Sequence, residues 1–505
     1  MKYLIGVDLG TTLAKCVIYD EELNSIAEAE KEMDISYPKP GQAEQDANDF
    51  YAVSCYLIRE SLERSKINKK DIQGISIDSQ MGGIMSIDKN FEPVTYYDTP
   101  LDGRSAGENF YMHSNFGELI IEKSGSFSTF GNKILYWKKR KEWDSISKFV
   151  QPSAFVAGKL TGLNWDKAYM DDTFLCFSGF ADLQSSSWSD ELIKKMDIDV
   201  RKLPRIIKST DIIGEVIQRA SKDSGIPAGV PVSAGCGDQS AGFVGAGIFE
   251  HGQLVDVSGT ACIFGVCIDD YRYDAKNKTL ACLKSAIGNN YHMVSVVLAG
   301  RTHKWFIDEF FTEEKEKAQK NKEDIYNILD EQAASLEPGS GGLVAINHLQ
   351  GRFFPPDPNT RGLFIGHTWA HKKIHFYRSI LESIGYDHFL TKAIIKDLVP
   401  EIIFDRVTAI GSGAKSKLWM EIKSNILQTP YQNLIRSDLS TLGSAIIAGY
   451  STGIFKNIDG IRKKSARPDL TVFPKKGEEK KYVKYIEAYR DLLPLLKDIY
   501  RRLSK

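Results

Sequence analysis

One pattern, written twice, constrains this chain more than any other: an apolar strand, a tight turn of glycine and hydroxyl residues, and a returning apolar strand. Tyr3-Leu4-Ile5-Gly6-Val7 leads into Asp8-Leu9-Gly10-Thr11-Thr12 and returns through Ala14 to Tyr19. Leu254-Val255-Asp256-Val257 meets Ser258-Gly259-Thr260 and returns through Ala261-Cys262-Ile263-Phe264. Each copy reads as strand, tight turn, strand. A duplication at long spacing implies two similar domains, each offering one turn to a shared ligand. The 505 residues, 42% of them hydrophobic, suffice for two sizeable cores.

Such turns present backbone N–H groups and hydroxyls, which is what a phosphate requires. In the first copy Asp8, Gly10, Thr11 and Thr12 would suit a Mg²⁺-bound polyphosphate, with Lys15 as a point charge. An ordinary hairpin whose aspartate caps a turn fits those residues equally. Shortly before the second copy, Gly237-Asp238-Gln239-Ser240-Ala241-Gly242 places one carboxylate between glycines, where a helix could open and a ligand approach the backbone closely. Asp238 is therefore the candidate base for a hydroxyl nucleophile.

Between these landmarks a helix is expected from about Ala47 to Arg64, burying Tyr51, Cys55, Leu57, Ile58 and Leu62. The strand Ile72 to Asp78 delivers Ser79-Gln80-Met81-Gly82-Gly83 at its C-terminal end, where open α/β sheets bind ligands. Asp102 and Arg104, in Leu101-Asp102-Gly103-Arg104, could hydrogen-bond a polyhydroxylated substrate or form a surface ion pair. Lys133 to Trp143 mixes apolar and basic residues as a solvated helix face would. The domain boundary falls near Gly245 to Gly252, giving domains of 1–247 and 248–505.

In the second half His367, His371 and His375 stand at i, i+4 and i+8, a spacing that could serve a metal if all three lay on one helix. No acidic or cysteine partner lies nearby in the sequence. Ile402-Ile403-Phe404 and Val407 to Ile410 have strand character. They precede Gly411-Ser412-Gly413-Ala414-Lys415-Ser416, whose small residues would let an adenine ring lie against the backbone. That run is not the G-x-x-x-x-G-K-[ST] of a Walker A loop. An amphipathic helix is expected from Tyr482 to Leu503.

The 65 basic and 66 acidic residues cancel, so no footprint for nucleic acid or an anionic membrane appears, and a small-molecule partner is expected. Seven cysteines without a C-x-x-C pair, and no secretory leader or membrane-length apolar run, indicate reduced thiols and a cytoplasmic location.

Taken in order, these motifs resemble the FGGY family of carbohydrate kinases over essentially the whole chain. Asp8 to Thr12 is similar to the family's first phosphate motif and Ser258-Gly259-Thr260 to its second. Gly411 to Ser416 resembles its adenosine motif, and Gly237-Asp238-Gln239 the segment bearing its catalytic base. Gly362-Leu363-Phe364-Ile365-Gly366, His375-Phe376 and Ser379-Ile380-Leu381-Glu382 resemble its C-terminal pattern.

The resemblance implies an α/β chain of two actin-like, ribonuclease-H-like domains, sugar-binding then nucleotide-binding, with ATP, Mg²⁺ and a sugar or polyol in the cleft between them. It implies Asp238 as catalytic base, Asp8 and Asp238 near the metal, and Gln80, Met81, Asp102, Arg104, Asp238 and Gln239 around the sugar. Asp8, Gly10, Thr11, Thr12, Lys15, Gly259, Thr260, Gly411, Ser412, Gly413 and Ala414 would hold nucleotide. A xylulose-like ketose or related polyol is the expected substrate class, and a homodimer is left open.

Several positions depart from the family. Xylulokinases usually read Gln-Met-His-Gly where this chain has Gln80-Met81-Gly82-Gly83, and glycerol kinases place Arg-Glu at Met81 and Gly82. Tyr136 replaces a common tryptophan, His367 an aliphatic residue, and Gln350-Gly351-Arg352 a common Gly-Glu-Arg. Two rival readings use the same fold: an actin-like or heat-shock-type ATPase, and a kinase-like binding protein without turnover.

Overall fold

The structure, a computed structural model, describes residues 1–259 and 261–503. Both copies of the repeated hairpin form, and each nucleates its own seven-stranded sheet. In the first, β1 (Tyr3–Leu9) pairs antiparallel with β2 (Leu13–Asp20), which pairs with β3 (Ser25–Glu32). After α1 (Ala47–Ser65), the chain returns as β4 (Ile72–Ser79), parallel to β1. β5 (Ile212–Glu215) and β6 (Pro231–Ser233) complete that edge, β6 lying parallel to β4. A helix crossover is what a parallel pair demands, whereas the hairpin needs only its short turn.

The second sheet repeats the plan. After α2 (Asp238–Gly245), β7 (Leu254–Ser258) pairs antiparallel with β8 (Cys262–Ile268). Beyond β8 lie β9 (Ala281–Lys284) and β10 (Tyr291–Val297). The long crossover helix α3 (Lys373–Leu398) leads to β11 (Val407–Ile410), parallel to β7 as β4 is to β1. Then α4 (Lys417–Leu427) leads to β12 (Tyr431–Leu434), parallel to β11. α5 (Leu439–Ser451), β13 (Pro468–Val472) and α6 (Glu479–Leu503) follow. The duplication expected from the hairpins is thus a duplication of whole sheets.

α1 carries the expected buried stripe of Cys55, Leu57, Ile58 and Leu62, with Tyr51 half-buried. Ile402-Ile403-Phe404 corrects the expectation: only Val407–Ile410 is a strand, and Ile403 is 76% exposed. That apolar triplet is too near the end of α3 to reach the sheet in register. The basic run also differs from a solvated helix. Helix Gly131–Lys138 ends inside it, and Lys133 is buried, its Nζ donating to the Thr99 carbonyl at 2.5 Å.

α5 belongs by sequence to the second half but packs on the first sheet. A Cβ on Gly6 would stand 1.9 Å from the Thr441 carbonyl oxygen, and one on Gly443 1.8 Å from the carbonyl oxygen of Ala241 in α2. Backbone therefore meets backbone across the two halves, an approach that only glycine permits. Polar contacts fix the register. The Tyr19 hydroxyl donates to Asp438 Oδ2 at 2.6 Å, and the Ser444 hydroxyl donates to Asp78 Oδ2 at 2.6 Å. Among the described residues, no helix is long and apolar enough to cross a membrane.

Gly443→Ala should therefore destabilise the protein by about 1–3 kcal/mol, the usual cost of overpacking. Urea unfolding measures it; an unchanged midpoint would show that α2 and α5 are not held as described.

Candidate active site

Three carboxylates gather at the C-terminal end of the first sheet's central strands. Asp8, next to last in β1, lies in register with Asp78 on the parallel β4. The short Cys236–Gly237 strand pairs with Asp78–Ser79 and hands the chain to α2, whose first residue is Asp238. The Oδ1 oxygens of Asp8 and Asp78 are buried, and among the described residues neither meets a hydrogen-bond donor. Burial raises Asp8 to about 6, against the pull of its contact with Asp78 and of Lys15. Burial, then the charge of Asp8, raises Asp238 to about 7. Asp78 is driven well above the usual carboxylate range by burial and then by Asp8. Uncompensated negative charge concentrated this way favours a cation or an acidic proton.

The second half treats its strand-end carboxylate in the opposite way. Asp256 on β7 is fully buried, and the equally buried Lys423 of α4 donates to its Oδ2 at 2.5 Å. Lys423 also donates to the Ser258 hydroxyl at 2.8 Å, which itself donates to Asp256 Oδ1 at 3.0 Å. Burial opposes ionisation of Asp256, but the Lys423 charge, His388 and the hydrogen bonds from Lys423 and Ser258 together outweigh it and hold the carboxyl below its usual range. This pair pins the start of the Ser258-Gly259 turn to the helix that follows the Gly411–Ser416 motif.

That motif sits directly against the turn. Gly411 has φ +87°, and a Cβ there would lie 2.8 Å from the Ser258 carbonyl oxygen. Ser412 is exposed on the single helical turn Ser412–Lys415, Gly413 packs against Trp419, and Ala414 is buried. Gly259 is the contrast: among the described residues, a Cβ there would meet nothing nearer than the Ala261 carbonyl oxygen at 3.5 Å, an ordinary contact. Thr260 lies outside the described residues.

The remaining sequence candidates fall into two groups. Met81 and Gln239 are partly exposed beside Asp238, with Met81 packed on Gly237. Gln80, in contrast, is only 1% exposed. Its Oε1 accepts from the Thr11 hydroxyl at 2.9 Å and its Nε2 donates to Gln45 at 2.6 Å, so it braces the first turn. Thr12 is exposed, and Gly10 packs on the Leu13 carbonyl within the turn.

Lys15 pairs with Glu28 at 2.7 Å. Asp102 and Arg104 also turn inward. Asp102 accepts from Ala43 N and Arg104 Nε, while Arg104 reaches Glu44 at 2.7 Å and lies over the Tyr96 ring. This is a shielded ion-pair network rather than the exposed pair or open sugar ligand that its sequence suggests. The histidines do not share a helix face, because α3 begins only at Lys373. His371 Nδ1 and His375 Nδ1 accept from the backbone N–H groups of Thr368 and Lys372. No group of three or more His, Cys, Asp or Glu that could hold a metal occurs among the described residues.

Asp78, Lys423 and Ser444 also adjoin the candidate residues, and no sequence motif marks them. Asp78 carried a signal, an aspartate next to last in an apolar strand just as Asp8 is. Lys423 carried a subtler one, since it occupies the buried stripe of Trp419, Ile422, Ile426 and Leu427 where a hydrophobe belongs.

Family models describe the two halves in turn. The N-terminal domain of the FGGY family of carbohydrate kinases matches residues 3–245, and its C-terminal domain matches residues 255–452. The chain belongs to the FGGY family of carbohydrate kinases. Xylulose kinase from Staphylococcus epidermidis is 25% identical over 98% of this chain and 97% of its own length. Xylulose kinase from Bacillus subtilis is 24% identical over 100% and 99%. The ligand-bound xylulose kinase structure from Lactobacillus acidophilus superposes with a TM-score of 0.88, at 23% identity and full coverage of both chains.

The fold is thus the two-domain actin-like, ribonuclease-H-like α/β fold, and the protein is an ATP-dependent sugar kinase, a phosphotransferase acting on a small molecule.

For this FGGY kinase, Gly259→Val should leave the unfolding transition unchanged, since the side chain has room. Nucleotide affinity should fall at least tenfold by obstruction of phosphate, while sugar affinity holds. Separate titrations of ATP and sugar decide it; equal loss of both would contradict this role. Lys423→Met should cost about 3–5 kcal/mol by stranding the buried Asp256 charge. A chemical-denaturation midpoint equal to wild type would refute the pairing.

Proposed function

We propose that the protein transfers the γ-phosphoryl group of ATP to a hydroxyl of a xylulose-like ketose or related polyol, with Asp238 as general base. The observation that carries this reading is the place of Asp238: on the first turn of α2, at the seam of the two halves, and within the electrostatic reach of Asp8. Asp238 Oδ1 accepts from the Gln239 backbone N–H at 2.7 Å, its one hydrogen bond among the described residues. The carboxylate can therefore also receive a substrate proton.

In the transfer, the substrate O–H bond breaks and its proton passes to Asp238. The freed oxygen forms the new bond to phosphorus as the bond between phosphorus and ADP breaks. Little covalent chemistry is asked of the protein, and most of the rate comes from positioning and charge. Gly259 and the Gly411 turn would cradle the nucleotide, while Met81 and Gln239 would line the sugar. The division 1–247 and 248–505 then separates a sugar-binding from a nucleotide-binding half.

The donor set suits Mg²⁺. Asp8 supplies a buried, unpartnered oxygen, Asp8 and Asp238 are hard ligands, and such an ion takes one or two carboxylates plus substrate phosphates rather than a protein cage. When bound, Mg²⁺ would neutralise phosphate charge as it shifts toward the leaving group. All seven cysteines are buried and unpaired, which with ATP dependence favours the cytoplasm.

Asp238→Asn should lower turnover about 10²- to 10⁴-fold while ATP binding persists, because the amide keeps the shape but accepts no proton. An ADP-coupled assay with D-xylulose, D-ribulose, D-fructose and glycerol reads it; near-wild-type turnover would overturn the assignment. Asp238 must be ionised to act, so kcat/KM should fall as pH drops below an acid limb centred at or below about 7. A cation arriving with ATP would move that limb down, never up.

A further inference from the structure

Beside Met81 the loop after β4 turns through Gly82, whose φ of +88° suits glycine. A Cβ at that position would lie 3.3 Å from the Thr129 hydroxyl oxygen and 3.5 Å from Pro100 Cγ. The Thr129 hydroxyl is buried and has no hydrogen-bond partner among the described residues. Its backbone N–H, by contrast, is spoken for, donating to the Phe177 carbonyl at 2.9 Å. A buried hydroxyl left unpaired is unfavourable, so a ligand group or water that pairs with it is stabilising.

Two further contacts locate this hydroxyl. On one side, a Cβ on Gly237 would stand 2.5 Å from Met81 Sδ, so Met81, the residue before Gly82, packs on the Gly237-Asp238 step. On the other, the segment carrying Thr129 runs along the seam between the two halves. The Gly125 carbonyl accepts from Cys282 N at 2.9 Å, and the Phe127 ring stacks on Phe354, centroids 6.2 Å apart. Thr129 therefore stands on the same seam as Asp238, beyond Met81.

We propose that Thr129 is a substrate-binding residue that selects for chain length: its hydroxyl pairs with the hydroxyl at the end of an extended ketose opposite the one phosphorylated. This rests on Asp238 as the base, which fixes the reacting end of the sugar. Met81 stands between Gly82 and the Gly237-Asp238 step, so a short polyol such as glycerol is expected not to engage both Asp238 and Thr129. A side chain at Gly82 would crowd the Thr129 hydroxyl.

The test is steady-state kinetics of wild type, Thr129→Val and Thr129→Ser with D-xylulose, 1-deoxy-D-xylulose, D-ribulose, D-fructose and glycerol. Thr129→Val keeps the shape and removes the hydroxyl. It should raise KM for the best ketose about tenfold, with KM for MgATP unchanged, and Thr129→Ser should restore it to within about threefold. If D-xylulose is turned over, wild type should lose a similar factor on the 1-deoxy sugar, and Thr129→Val should no longer distinguish the two. Glycerol turnover, if measurable, should not respond to either variant.

Equal KM values for wild type and Thr129→Val on every ketose would overturn this inference alone. So would an equal loss for glycerol and the ketoses. Wild-type turnover of no sugar or polyol would instead overturn the kinase reading, and the Thr129 assignment with it.

Discussion

The architecture depends on a contact in which two helices from opposite halves touch through backbone. α2 carries Asp238, α5 comes from the second half, and Gly443 lets them approach to a distance that any Cβ would forbid. Gly6 allows the same helix to lie on β1. The position of Asp238 relative to Asp8 is therefore set by a helix that the second half contributes. The Ser444 hydroxyl on Asp78 and Tyr19 on Asp438 add direction to that contact, because hydrogen bonds discriminate among registers that packing alone leaves open.

Duplication supplied two similar sheets, and divergence in charge gave them different work. β7 carries a buried aspartate that Lys423 neutralises, so the second turn is held rigidly. β1 carries Asp8, faced by Asp78 and felt by Asp238, with Lys15 drawn off to Glu28. The strand-end aspartate of the second half is thus paired internally, while those of the first half stay raised in pKa. In a kinase that asymmetry is productive: a base must be ready to accept a proton, and a cation arriving with polyphosphate needs anionic oxygens.

Motifs governed by local backbone geometry were legible in the sequence. The hairpins, α1, the strand delivering Gln80 and Met81, and the helix opening at Asp238 follow from apolar periodicity and glycine placement over a few residues. Side-chain roles were less legible, because they depend on partners far away in the chain. Gln80 looks like a sugar ligand until Thr11 and Gln45 occupy it, and Arg104 until Glu44 and Tyr96 do. Lys133 looks like a solvent charge, since nothing local announces the Thr99 carbonyl that buries it, and for Lys423 only its place in an apolar stripe hints at the Asp256 carboxylate. Ile402 to Phe404 has strand composition but no neighbouring strand in reach, a case of tertiary context overriding propensity.

A sugar kinase differs from an ATPase of the same fold in that ATP cleavage is coupled to sugar phosphorylation. Following ³¹P resonances during turnover with ATP and the preferred ketose tests it most directly, because every phosphate product is seen at once. One sugar phosphate for each ADP formed is expected, with inorganic phosphate absent beyond the background seen without sugar. ADP accumulating with inorganic phosphate and no sugar phosphate would contradict it and identify the cleft as that of an ATPase.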